Sequence, residues 1–153
     1  MIIAINLLDA QIIRDPTLLN VSLGYGPNYG GVGIKTVIGY GNSGFLIGVG
    51  YTGIDLAYAI GGQYSIGPWY INGGYAPYGG GYDRVTSSAR SLYGANLMSG
   101  VNLRFGKKRK LFVDLGIGYS WGGTVTGLDF RPKAFMWGFG IGYRLFDIRN
   151  NWS

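Results

Sequence analysis

The run Phe135–Phe146 (FMWGFGIGYRLF) decides the fold. Phe135, Trp137, Phe139, Ile141, Tyr143 and Leu145 occupy its odd positions, and all six are large and apolar or aromatic. The even positions carry Met136, Gly138, Gly140, Gly142, Arg144 and Phe146. Successive strand side chains point to opposite faces, so a period of two reads as a β-strand with one bulky face and one small one. The same reading applies to Leu111–Trp121 (LFVDLGIGYSW), where Leu111, Val113, Leu115, Ile117, Tyr119 and Trp121 share a face. It extends to Val32–Tyr40, Phe45–Thr52, Ile54–Ile66 and Tyr93–Phe105, and more weakly to Leu19–Gly26 and Trp69–Tyr78.

That makes eight candidate strands, each close to the about 9–11 residues a tilted membrane strand needs. The joins after the second, fourth and sixth are tight: Gly41–Gly44, Gly67–Pro68 and Gly106–Lys110. Those after the first and third, around Pro27–Gly31 and Gly53, are short. The joins after the fifth and seventh, Gly79–Leu92 and Gly122–Ala134, are long. An even strand count, with tight turns at one end and longer loops at the other, predicts a closed antiparallel up-and-down transmembrane β-barrel over residues 18–146. Residues 1–17 and 147–153 flank it.

Composition supports the choice of solvent for the bulky face. Of 153 residues, 30 are Gly, 16% are aromatic and 13% are charged. A soluble sandwich would place Lys, Glu, Thr and Gln on its wet face. Here the second face is Gly, Ala, Ser and Asn with scattered charges, which suits the crowded interior of a small barrel. Tyr25, Tyr40, Tyr51, Trp69, Tyr119, Trp121, Trp137 and Tyr143 lie near strand ends on the bulky face, as two interfacial aromatic girdles would. In this texture of GVGY, GIGY and GFGIGY strands the chain resembles the small eight-stranded outer-membrane barrels, represented by the transmembrane domain of outer membrane protein A and by outer membrane protein X. The resemblance covers Leu19–Phe146 and is architectural. It implies an outer membrane of the Gram-negative type, or an organelle outer membrane. It also implies a terminal aromatic read by the insertion machinery, a part open to Phe146 although Asp147–Ser153 follow it.

Several chemistries are excluded. With no His and no Cys there is no Ser-His-Asp triad, disulfide or thiolate centre. The expected role is non-enzymatic, with no metal and no cofactor. Gly48–Gly53 (GVGYTG) matches G-x-G-x-x-G, but the dinucleotide fingerprint needs a helix to follow, and strand alternation runs on both sides. Met1–Leu8 is apolar without a basic stretch before it or a small-residue cleavage site after it, so it does not read as a signal peptide.

The inward polar set is Lys35, Asp55, Gln63, Asn72, Asn96, Asn102, Arg104, Asp114 and Arg144. Buried charge must be paired or hydrated. A lumenal ion-pair network is expected, with Arg144 or Arg104 against Asp114 or Asp55; a narrow polar path for small solutes is the alternative. Lys107, Lys108, Arg109 and Lys110 form a basic turn within a chain of net charge +6. They fit a solvated turn or contact with anionic headgroups, lipopolysaccharide or cell-wall polymer. Nucleic acid is not an expected partner, since no basic helix or stacking platform accompanies the cluster. Residues 1–17, with Ile2, Ile5, Leu8 and Ile12 at helical spacing, read as an interfacial helix, a lumen plug or a docking segment for another envelope protein. The long loops hold Asp83, Arg84, Arg90, Asp129, Arg131 and Lys133 without a catalytic constellation. A Gly/Tyr-rich fibre-forming β protein remains a third reading, because Gly-rich strands specify register weakly.

Overall fold

The computed structural model describes residues 18–83, 88–106, 110–122 and 134–147. They form eight strands: β1 (Leu18–Gly26), β2 (Gly31–Tyr40), β3 (Ser43–Tyr51), β4 (Leu56–Ile66), β5 (Trp69–Asp83), β6 (Ser88–Phe105), β7 (Leu111–Trp121) and β8 (Ala134–Asp147). Each strand pairs antiparallel with the next, and β1 also pairs with β8, so the sheet closes into an up-and-down barrel. Closure gives each strand two hydrogen-bonded neighbours, which removes the open edges that a flat sheet would keep.

The alternation sorts as read. Leu23, Ile34, Ile47, Ile60, Ile71, Leu97, Ile117 and Ile141 point outward and are exposed, while their chain neighbours line the interior. All eight expected girdle aromatics are exposed. Tyr25, Tyr51, Tyr119, Trp121 and Trp137 lie toward the end that holds the β7–β8 connection. Tyr40, Trp69 and Tyr143 lie toward the end that holds the tight turns.

Two expectations are corrected, and one short join does more than connect. Gly79–Leu92 is not an open loop: β5 runs on to Asp83 and β6 starts at Ser88, paired from Asp83↔Ser88 downward. A bulge between Pro77 and Gly79 interrupts the alternation there and hid the extension. β4 starts at Leu56, so Ile54 and Asp55 belong to the turn before it. The Pro27–Gly31 join is not a simple surface turn. Residues 27–29 form one 3-10 turn, capped by Gly30 with φ 68°, whose N–H donates to the Pro27 carbonyl at 3.0 Å. Pro27, Asn28 and Tyr29 are all buried, because this turn folds into the barrel mouth. The basic residues Lys107, Lys108 and Arg109, residues 1–17 and the tail beyond Asp147 fall outside the described residues.

Glycine makes room for the inserted turn. A Cβ at Gly48 would collide with the Asn28 carbonyl, one at Gly33 or Gly50 with the Tyr29 carbonyl, and one at Gly24 or Gly140 with the Tyr29 ring. Four strands therefore leave their inner face bare where the turn sits. Gly48→Ala is expected to destabilise the refolded chain by about 1–3 kcal/mol through overpacking against backbone, read by urea unfolding. Gly53→Ala is the control for the substitution as such: its φ of 94° is strained, yet a Cβ there meets nothing. The Gly48 variant should alter the near-ultraviolet signal of Tyr29, and the Gly53 variant should not.

Candidate functional site

The interior converges on one ion pair. Lys35 of β2 and Asp114 of β7 meet across the lumen, Lys35 Nζ on Asp114 Oδ2, with both side chains almost wholly buried. The Tyr29 hydroxyl donates to the same oxygen at 2.6 Å. The Lys35 ammonium lies 4.9 Å from the Tyr29 ring centroid and 5.4 Å from that of Tyr70, so it is held between two aromatic faces. The Tyr70 hydroxyl faces Asp114 as well, packed against bare backbone at Gly100 and Gly116. Two opposite charges leaving water together need this compensation, because each alone would be strongly penalised in a low-dielectric interior.

The rest of the expected polar set divides by height. Gln63, Asn72, Asn96 and Arg144 are buried in the lumen as read, and Asn102 is half-buried beside Asp114 on the neighbouring strand. Gln63 donates to Ser65 at 3.1 Å, and Gln63 and Asn72 sit opposite each other in the β4–β5 ladder. Above them Val37, Leu46, Ala59 and Ala76 form a buried apolar cluster. Met98, Met136 and Phe112 are also buried. Gln63, Asn72, Asn102 and Arg144 lie toward the tight-turn ends of their strands, and side chains fill the lumen around the inserted turn.

Two expected lumen residues are placed elsewhere. Arg104 has inward parity but stands at the turn-side end of β6 and is exposed. Asp55 has the inward parity of β4 but precedes that strand, and forms a clasp at the opposite rim. It accepts from the Ser91 hydroxyl, and from the Ser91 N–H at 3.1 Å and the Thr52 hydroxyl at 3.1 Å. The partner of Asp114 is Lys35, where an arginine was expected. Parity was right in each case; what it lacked was height along the barrel, which comes only from the register.

Tyr29 and Tyr70 were missed. Tyr29 lies in a join, and joins read as surface; Tyr70 opens a weakly alternating strand. The signal that could have found them is the concentration of glycine at inward positions 24, 33, 48, 50, 100, 116 and 140. Together those positions outline the space that the inserted turn and the two rings fill. Of the basic turn, Lys110 alone is described. Its ammonium lies 5.8 Å over the exposed Tyr143 ring, and its carbonyl accepts from the Arg144 N–H at 2.8 Å.

No family model, curated protein or solved structure matches this chain. Geometry alone therefore carries the functional reading.

Removing one member of the central pair should cost far more than removing both. Asp114→Ala strands the Lys35 ammonium and is expected to destabilise the barrel by about 3–5 kcal/mol, whereas Lys35→Met with Asp114→Leu should recover most of that loss. Urea midpoints of the two variants check this. The rim clasp has a pH signature. The Ser91 hydroxyl, then its N–H, hold Asp55 below the usual carboxylate range. The clasp is thus intact above that range and is lost as pH falls through the lowered pKa. The Ser91 amide resonance in an acid titration should move in that window, and should not move in Asp55→Asn.

Proposed function

We propose that the chain is an integral outer-membrane β-barrel protein whose role is non-enzymatic: structural, anchoring or surface-interacting, with a lumen closed to solutes. One observation carries the reading. Among the described residues, thirty-two large hydrophobic side chains are exposed on the strands, against ten buried hydrophobic ones. No outward strand position with a described side chain bears a formal charge. A soluble monomer rarely exposes a contiguous apolar patch beyond a few hundred Å². A wall that is apolar all round fits hydrocarbon, where the sheet must close because unpaired backbone groups are not tolerated.

The aromatics support the same reading. Tyr25, Trp137 and Phe139 pack together near one rim, with Tyr25 and Trp137 centroids 5.3 Å apart. Tyr58, Tyr75 and Tyr93 form a second such group, with Tyr75 and Tyr93 stacked at 5.6 Å. Amphipathic rings at rim height suit the headgroup boundary, and Lys110 over Tyr143 suits the opposite boundary, its stem along the wall and its charge at the edge. Membrane lipids are then the principal partner. The basic turn beyond Phe105 meets anionic headgroups or polymer, and residues 1–17 are the segment open to other envelope proteins. Sheet closure favours this barrel over the fibre reading, which needs long open edges.

Closure of the lumen rests on Tyr29, Tyr70 and the Lys35–Asp114 pair, which fill the section at mid-height. The test is refolding into detergent and electrophoresis with and without boiling. A closed barrel should keep its fold in SDS until heated and shift on boiling. In planar bilayers it should give no steady conductance, while Tyr29→Gly should open a small one. A chain that stays folded and lipid-free in plain buffer would overturn the proposal.

A further inference from the structure

The outer wall is not evenly filled. Across β5–β8 one row of outward positions runs Trp69, Val101, Leu115 and Phe139, each facing the next in the ladders. The next row toward the loops runs Ile71, Ser99, Ile117 and Trp137. Ser99 is the gap in it, a small side chain between two isoleucines. Its hydroxyl donates to the Tyr70 carbonyl at 3.3 Å, so its donor is used within the sheet. The result is a groove of about 620 Å³, with Trp69 on the β5 side, Trp137 on the β8 side and glycine backbone between them. Leu115 and Ile117 place it at the middle of β7.

An apolar track joins this groove to a cation. From Leu115↔Phe139 toward the tight turns the ladder continues with Val113↔Ile141 and Leu111↔Tyr143, all outward and none charged. The track ends at Lys110, whose ammonium lies 5.8 Å over the exposed Tyr143 ring. Leu115 is five residues on from Lys110, which is roughly 17 Å of strand. Each leaflet supplies half of a hydrocarbon core about 30 Å thick, so its chains reach roughly 15 Å. The groove therefore lies at the depth where one leaflet's chains end, and Lys110 at the depth where its headgroups begin, on the same pair of strands.

We propose that this face holds one anionic phospholipid of the leaflet at the tight-turn end, its phosphate on Lys110 and one acyl chain running past Leu111 and Val113 into the groove at Ser99. The inference rests on the membrane reading of the wall and narrows it to a place, a leaflet and a headgroup charge. A lipid chain suits the groove better than other occupants. A second copy in two-fold contact would set the same patch against itself, leaving two grooves face to face and unfilled. The chain's own residues 1–17 carry Asp9, Arg14 and Asp15. A helix of theirs, about 10 Å across, is too wide for a gap of one side chain, and an extended stretch would bring unpaired N–H and C=O groups into hydrocarbon. An acyl chain has no polar group to satisfy.

The test uses the full chain refolded in neutral detergent micelles and titrated with phosphatidylglycerol brominated at mid-chain, with brominated phosphatidylcholine as the neutral partner. Bromine quenches an indole that it touches, and Trp69 and Trp137 both line the groove. Quenching should saturate at one phosphatidylglycerol per barrel, and phosphatidylcholine should bind about fivefold more weakly. Lys110→Gln should weaken phosphatidylglycerol by about the same factor. Ser99→Phe fills the gap from an exposed outward position and should abolish the saturable quenching. Ala95→Phe, exposed on the same face of β6 but outside the groove, should leave it unchanged. Quenching that grows with lipid and never saturates, equal binding of the two lipids, or undiminished binding by Ser99→Phe or Lys110→Gln would each overturn the proposal. Indoles that stay unquenched at saturating lipid would also overturn it, marking a groove covered by another part of the chain or by a second copy. Gels with and without boiling separate the two readings. A failure here with the boiling shift intact removes the lipid site alone, and absence of the shift in the unaltered chain removes both.

Discussion

Pairing of the first strand with the last is the constraint on which the rest depends. Until β1 meets β8, the sheet has two long edges and its inner face is open to solvent. Once they pair, the interior becomes a narrow shaft whose occupants are set by which positions point inward. The outer face must then be compatible with whatever surrounds it on every side, since a closed sheet has no second layer to bury it against. The bulky outer face and the glycine-rich inner face are two results of the same closure.

The inner shaft is filled by an arrangement that no single strand could make. β2 supplies a cation, β7 an anion, the β1–β2 join one phenol and β5 another. None of these groups would be stable alone in such a place. The tyrosines present ring faces to the ammonium, one hydroxyl donates to the carboxylate, and the glycines let the rings approach to backbone distance. Replacing the whole group with apolar side chains could be as stable. What the polar arrangement adds is a defined seat for the inserted turn, because the Tyr29 hydroxyl donates to Asp114.

Much of this was legible in the sequence, and the rest was hidden for identifiable reasons. Alternation in Phe135–Phe146 and Leu111–Trp121 gave strand, face and the number of elements. Lys35, Gln63, Asn96, Asp114 and Arg144 were assigned inward by parity, and they are inward. Parity carries no height, so Asp55 and Arg104 shared the inward phase and yet lie at opposite rims. The bulge at Pro77–Gly79 broke the phase in β5 and made a strand look like a loop. Tyr29 was out of reach for a different reason: a four-residue join has no periodicity to read. Its burial follows from glycines on four strands that are distant in sequence.

The contact between Tyr29 and Asp114 joins residues 85 apart in the chain, and that between Lys35 and Asp114 residues 79 apart. Contacts of such separation form late, after the loop entropy of the intervening chain has been spent. The β1–β2 hairpin is local and can form early, with its inward turn still exposed. The carboxylate that seats this turn arrives only with β7, just before the final strand. Chain order thus makes the central ion pair a checkpoint: a barrel that zips shut with its turn outside encloses Lys35 and Asp114 without the ring and hydroxyl of Tyr29 that compensate them, and so has reason to reopen.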